Sequence, residues 1–203
     1  MKQITLIAAG LAVALASSVA LAKTEERIDI VTEGGIGKNW GAAPGASFVA
    51  PGYPAEMKER AANVCLSIGY SLDPKDGVPT DLILLQSWSR DKDDVALSDK
   101  ELEPFVQAAA GALSQWRFQA KEGAQKHVHT FTAATMTFAG AEQTRPDNLP
   151  GQCRITDLPA YVEKESKNAD RTNRGVLDRL ARQHQQNMTN ELNAAQRRRQ
   201  QGR

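Results

Sequence analysis

The chain has 203 residues and carries 25 basic against 24 acidic side chains, a formal net charge of +1. That length supports one sizeable core and excludes two large domains. The near balance of charge argues against a protein dedicated to nucleic acid.

Residues 1–22 read as an export signal. Lys2 supplies a positive start, residues 4–19 are apolar and Ala-rich, and Ala20-Leu21-Ala22 is a small-residue cleavage pattern ahead of Lys23. The alternative is an uncleaved anchor, since residues 4–22 just suffice to span a bilayer core of about 30 Å. Cleavage removes Lys2 and leaves the acidic and basic residues equal in number. Export into an oxidising compartment makes a Cys65–Cys153 disulfide the expectation, with two unpaired thiols as the alternative.

Residues 23–50 open with a short strand pattern at 27–31 and then become Gly-rich (Gly34, Gly35, Gly37, Gly41, Gly45), which reads as a flexible lead-in. Gly37-Lys38 is not a phosphate loop. Thr32 and Asn39 stand where that motif needs Gly and Ser or Thr.

The folded unit is expected over 51–140. Residues 55–62 are good helix formers placed directly after Pro54. Over 64–72 the residues Val64, Leu66, Ile68, Tyr70 and Leu72 alternate with Cys65, Ser67, Gly69 and Ser71, the period of a half-buried strand. Asp73-Pro74-Lys75-Asp76-Gly77 is a turn, because Pro presets φ and Gly accepts a positive one. Residues 78–87 return as the partner strand. After a charged loop over 90–100, either Ser98 or Asp99 caps the next helix, and Glu101 would complete a capping box with Ser98. Leu102, Phe105, Val106, Ala109, Leu113 and Trp116 then give one buried helical stripe. Residues 128–138 are the last strand.

This order predicts an α+β fold: two helices on a small three-stranded antiparallel sheet, plus a long C-terminal helical tail. Residues 141–160 form a Pro-rich linker. Residues 161–203 are a polar tail with a thin apolar stripe (Val176, Leu177, Leu180, Met188, Leu192, Ala195), which supports a long marginal helix from about Asn173.

Tyr53-Pro54, the alternating strand and its turn ending in Gly77, and a second helix closing on Trp116-Arg117-Phe118 occur in a fixed order. In that order they resemble the TonB C-terminal domain family over 51–140. The resemblance implies a periplasmic gripping module with no active site and no cofactor. It implies a partner peptide, from an outer-membrane transporter or another envelope protein, that adds as a strand along residues 128–138. Val128, Thr130, Thr132, Ala134, Met136 and Phe138 would line that edge. An exposed edge offers unpaired N–H and C=O groups, so main-chain hydrogen bonds would supply most of the affinity. The alternative is a structural or interaction protein that keeps the fold, its edge capped by its own tail, the disulfide or a homodimer partner. Three features depart from the family. The leader has Ser17 and Ser18 but no His, the long Pro-rich spacer is missing, and Ser47-Phe48-Val49-Ala50 precedes Tyr53 where transporter-contacting members are polar.

Catalytic or metal chemistry is not expected. His127 and His129 share one side of a strand, but a zinc site needs at least a third ligand. Asp91, Asp93 and Asp94 lack the Gly and closing Glu of a calcium loop. The cluster Arg197-Arg198-Arg199 with Arg203 reads as a solvated helix end, with contact to an anionic membrane surface as the alternative.

Overall fold

The computed structural model describes residues 27–123, 128–168 and 171–201. The leader over 1–22, His127 and Arg203 lie outside the described residues. The elements run β1 (Arg27–Ile30), β2 (Trp40–Ala42), β3 (Asn63–Leu72), β4 (Pro79–Arg90), α1 (Asp99–Leu113), β5 (Phe118–Ala120), β6 (Val128–Phe138), α2 (Leu158–Asn168) and α3 (Arg171–Gln201).

The alternation over 63–72 does make a strand, and that strand is the middle of the fold. β3 pairs antiparallel with both β4 and β6, and β1 adds parallel to β6, so the main sheet runs β1-β6-β3-β4. β2 and β5 form a separate two-stranded antiparallel sheet. The expected three-stranded sheet is therefore corrected to four strands plus a second small sheet.

One face of the sheet is covered as the pattern requires. Val64, Leu66, Ile68, Tyr70 and Leu72 meet Leu102, Phe105, Ala109 and Leu113 of α1, together with Ala134, Met136 and Phe138 of β6. The other face is not solvated. Every residue of β3 is buried, which corrects the half-buried expectation. There Leu158 and Val162 of α2 and Leu180 and Ala181 of α3 pack on Ile30, Ile83, Phe131 and Ala133. Cys65 bonds to Cys153, with Cα atoms 5.7 Å apart, and both are fully buried beside Leu149. The disulfide draws the chain after β6 back across this second face.

Two further expectations are corrected. The helix over 55–62 is only a 3-10 turn, Ala55–Met57, followed by single turns. Ala61 already adopts φ 46° and β3 begins at Asn63, too soon to offset the cost of nucleating a helix. The lead-in is ordered from residue 27, through β1, a 3-10 turn (Glu33–Lys38) and β2. Its glycines are permissive, but the large side chain between them is not. Trp40 is buried edge-to-face on Phe118 at 6.4 Å and donates from Nε1 to the Thr130 hydroxyl at 2.9 Å. Within the linker, Asp157 accepts from the Ala160 amide at 3.0 Å, and Pro159 stands in the first turn of α2, where its missing N–H is harmless.

The start of α1 is tied to the β4 end by charge. The capping box forms as expected: Glu101 accepts from the Ser98 amide at 2.9 Å and from its hydroxyl at 2.7 Å. Arg60 bridges Asp91 at 3.3 Å and Glu101 at 2.9 Å. Asp91 is buried and takes the amides of Val95 and Asp93, each at 2.9 Å. The Val95 amide foremost, with those of Asp93 and the Arg60 charge, holds the Asp91 carboxyl below its ordinary range. The Ser98 amide and hydroxyl do the same for Glu101. Both folded pKa values lie below the unfolded ones. Their stabilising contribution is thus complete above about pH 5 and lost as the pH falls through the folded values. Urea midpoints should fall from pH 7 to pH 3, and the Asp91→Asn/Glu101→Gln variant should show a flatter acid limb. An equal acid slope in that variant would remove these groups from the account.

Candidate protein-binding surface

The strand expected to dock a partner is not an edge over its first half. Arg27, Ile28, Asp29 and Ile30 of β1 stand opposite Val128, His129, Thr130 and Phe131, and the Val31 amide donates to the Phe131 carbonyl at 2.9 Å. Past that point Glu33 replaces a strand. Its carboxylate accepts from the Thr135 amide at 2.8 Å and from the Thr135 hydroxyl at 2.7 Å. Arg154, next to Cys153, pairs with Glu33 at 3.4 Å. The reading of 128–138 as an open docking edge is corrected accordingly. Over Val128–Phe131 and at Thr135, the edge groups of β6 are met by the chain's own residues 27–33.

The side chains named for that edge point into the molecule. Val128, Thr130, Thr132, Ala134, Met136 and Phe138 are all buried. Ala134, Met136 and Phe138 belong to the core under α1, and Thr130 holds Trp40. A partner would meet them only through the backbone.

The outer side of β1 is covered in turn by α3. Asn187 donates to the Ile28 carbonyl at 2.7 Å, and Arg27 pairs with Glu191 at 2.5 Å. At the far edge of the sheet, Tyr161 of α2 donates its hydroxyl to the Leu85 carbonyl of β4. Burial, and after it the Glu165 carboxylate, raise the Tyr161 pKa, so the phenol remains a donor. β4 is further blunted by shifts in its register with β3 and by Asp81 at φ 51°.

The motif residues are brought together as a scaffold. Tyr53 donates to the Ala62 carbonyl at 2.9 Å and stands edge-on to Phe105 and Phe138, while Pro54 opens the 3-10 turn. Gly77 sits at φ 62° and accepts from the Phe118 amide at 2.9 Å. Trp116 donates from Nε1 to the Val49 carbonyl at 2.8 Å, and Phe48 packs at a tilt against Trp116 and Phe118 with centroids 5.0 and 4.9 Å away. Arg117 is exposed and turns its guanidinium to the Ser114 and Trp116 carbonyls. The Trp-Arg-Phe sequence therefore fastens residues 43–49 to the end of α1.

His129 faces Asp73 at 4.0 Å, and among the described residues no cluster of three metal-ligating side chains occurs. Among the described residues no helix is long and apolar enough to cross a membrane.

No protein-family model matches the chain, and no curated protein matches it. Among solved structures it is similar to the solution NMR structure of the Pseudomonas aeruginosa TonB C-terminal domain. The likeness is at 16% identity and a TM-score of 0.36, over 53% of this chain and 91% of that one. A likeness of that size does not establish membership of that family.

Glu33, Asn187 and Glu191 escaped the sequence reading. The alternation of Ile28 and Ile30 with Arg27 and Asp29 was a usable signal for β1. Nothing in the sequence marks Glu33 as a strand substitute, since its partner lies 102 residues away.

Proposed function

We propose that the chain is an exported protein-binding module of the bacterial envelope, built on the plan of a TonB C-terminal domain, whose docking strand is closed by its own N-terminal segment. The observation that carries this reading is the pairing of Arg27–Ile30 along Val128–Phe131, continued by the Glu33 carboxylate on Thr135. The ordered motif from Tyr53 to Phe118 and the buried disulfide support it. Over Val128–Phe131, where β1 already pairs with β6, a transporter peptide cannot dock by simple addition. The module thus works as a structural or interaction protein rather than as a standing gripper, and it carries out no chemical step. Arg197, Arg198 and Arg199 are exposed at the end of α3 and suit an anionic surface.

The test has two parts. Expressed with its leader in a Gram-negative host, the protein should appear in the periplasmic fraction with Lys23 as its first residue. Purified, it should show no saturable binding of an extended transporter-type peptide below about 1 mM. Retention in the cytoplasm with the leader intact defeats export. Micromolar binding by the unaltered protein defeats closure.

A further inference from the structure

β1 differs from the strands beside it in how it is held. β3 and β6 share nine paired positions and a disulfide lies beneath them. β1 pairs at four positions, on one side only, and parallel. Ile30 is buried under the C-terminal helices and Ile28 only partly. Arg27 and Asp29 point to the opposite face and are about one-third exposed. Polar contacts complete its hold: Arg27 on Glu191, Asn187 on the Ile28 carbonyl, and Glu33 on Thr135 and Arg154. Partly exposed pairs of this kind hold weakly because water competes for both partners. β1 can therefore leave without opening the core that the disulfide and α1 maintain.

What β1 leaves behind is a groove with a defined pattern. Phe131, Leu180 and Ala181 form its apolar wall, Glu191 offers a negative charge at one end, and the Thr135 amide and hydroxyl offer donors at the other. We propose that β1 is an exchangeable occupant of this groove. Its place is taken by an extended partner segment of the same pattern: a cation, two apolar residues two apart, and a carboxylate three residues after the second. This rests on the protein-binding reading above and adds to it the regulation of the site and the chemistry of the partner. The closed chain is then a resting state. An incoming segment must outcompete β1, which lowers its apparent affinity by the fraction of time that β1 is away.

The test uses the full mature chain and a fluorescein-labelled synthetic peptide with the sequence of residues 27–34. Arg27→Ala and Glu33→Ala in the chain loosen the resident strand and leave Asn187, Glu191 and Thr135 in place for the peptide. Fluorescence anisotropy should show the double variant binding about tenfold or more tighter than the unaltered chain, the contacts of Arg27 and Glu33 having been removed from the competitor. A peptide with both Ile residues changed to Asp should lose binding. In the unaltered chain, the amides of residues 28–31 should exchange with solvent about a hundredfold faster than those of β3. Equal protection of β1 and β3 overturns the proposal. So does a double variant whose β1 amides exchange faster yet which takes up no peptide, or one that dimerises and excludes it. Peptide exchange in a protein that proves not to be exported would leave this groove standing and defeat the envelope assignment instead.

Discussion

Removal of the Cys65–Cys153 bridge is expected to lower stability by about 4–5 kcal/mol, the chain-entropy value for closing a loop of this size. The bridge spans a sequence separation of 88 residues, so the unfolded chain gains most of its lost freedom when the bond is absent. Both cysteines are fully buried, and their cluster with Leu149 supplies only a small apolar contact of its own. Among the described residues, the layer beyond it docks through Ile155, Leu158, Val162, Leu180 and Ala181, with Tyr161 packed beside them. Without the covalent tie this layer must repay the ordering of two helices by that burial and the contacts of Tyr161, Asn187 and Glu191, so it should loosen before the core under α1 does. Urea denaturation of Cys65→Ala/Cys153→Ala against the oxidised protein measures the loss. A fall in Tm of about 10–20 °C is the thermal equivalent for a chain of this length. Limited proteolysis should cut within α2 and α3 first in the variant. A difference below about 1 kcal/mol would mean that the helical layer holds itself and that the bridge is incidental.

The same layer shows where sequence legibility ended. β3, the turn to Gly77, the capping box of α1 and the span of β6 follow from local patterns: period two, a Pro-Gly turn, Ser98 with Glu101, and a run of Thr, Phe and Ala. Each needs only neighbours in sequence. The status of β6 as edge or interior depends on β1, a strand of four residues whose partner lies about a hundred positions away. No periodicity distinguishes an open edge from one paired by so short a segment. The second face of β3 was misread for a related reason. Cys65, Ser67, Gly69 and Ser71 are small and mostly polar, the composition of a solvated face. Here smallness serves close approach instead: a Cβ on Gly69 would lie 2.7 Å from the Phe131 ring. Trp40 was a visible clue against a flexible lead-in, since a lone Trp among glycines has apolar area to bury. The candidate surface fared least well. Its six side chains are all buried, and Ala134, Met136 and Phe138 among them belong to the core under α1.

Replacement of Gly77 should cost about 3 kcal/mol or more whichever residue is introduced, and the choice of replacement separates two causes. Gly77 has φ 62°, a conformation that costs an ordinary L residue about 1–2 kcal/mol but which Asn tolerates. Independently, a Cβ at this position would run into the Phe118 carbonyl, reaching 2.7 Å from its carbon. That obstacle is backbone and cannot rotate away. It is also fixed from both sides, because the Phe118 amide donates to the Gly77 carbonyl and Phe118 is clasped by Trp40, Tyr70 and Trp116. If backbone conformation alone demanded glycine, Gly77→Asn would cost less than about 1 kcal/mol and Gly77→Ala about twice that. If close approach decides, the two variants should be equally damaged, since each carries a Cβ. We expect the second outcome, read as matching urea midpoints. A shared change in Trp fluorescence should accompany it, because the displaced strand end carries the ring that packs on Trp116. Recovery of near-native stability in Gly77→Asn alone would show that the turn, and not its contact with Trp116-Arg117-Phe118, is what the glycine serves.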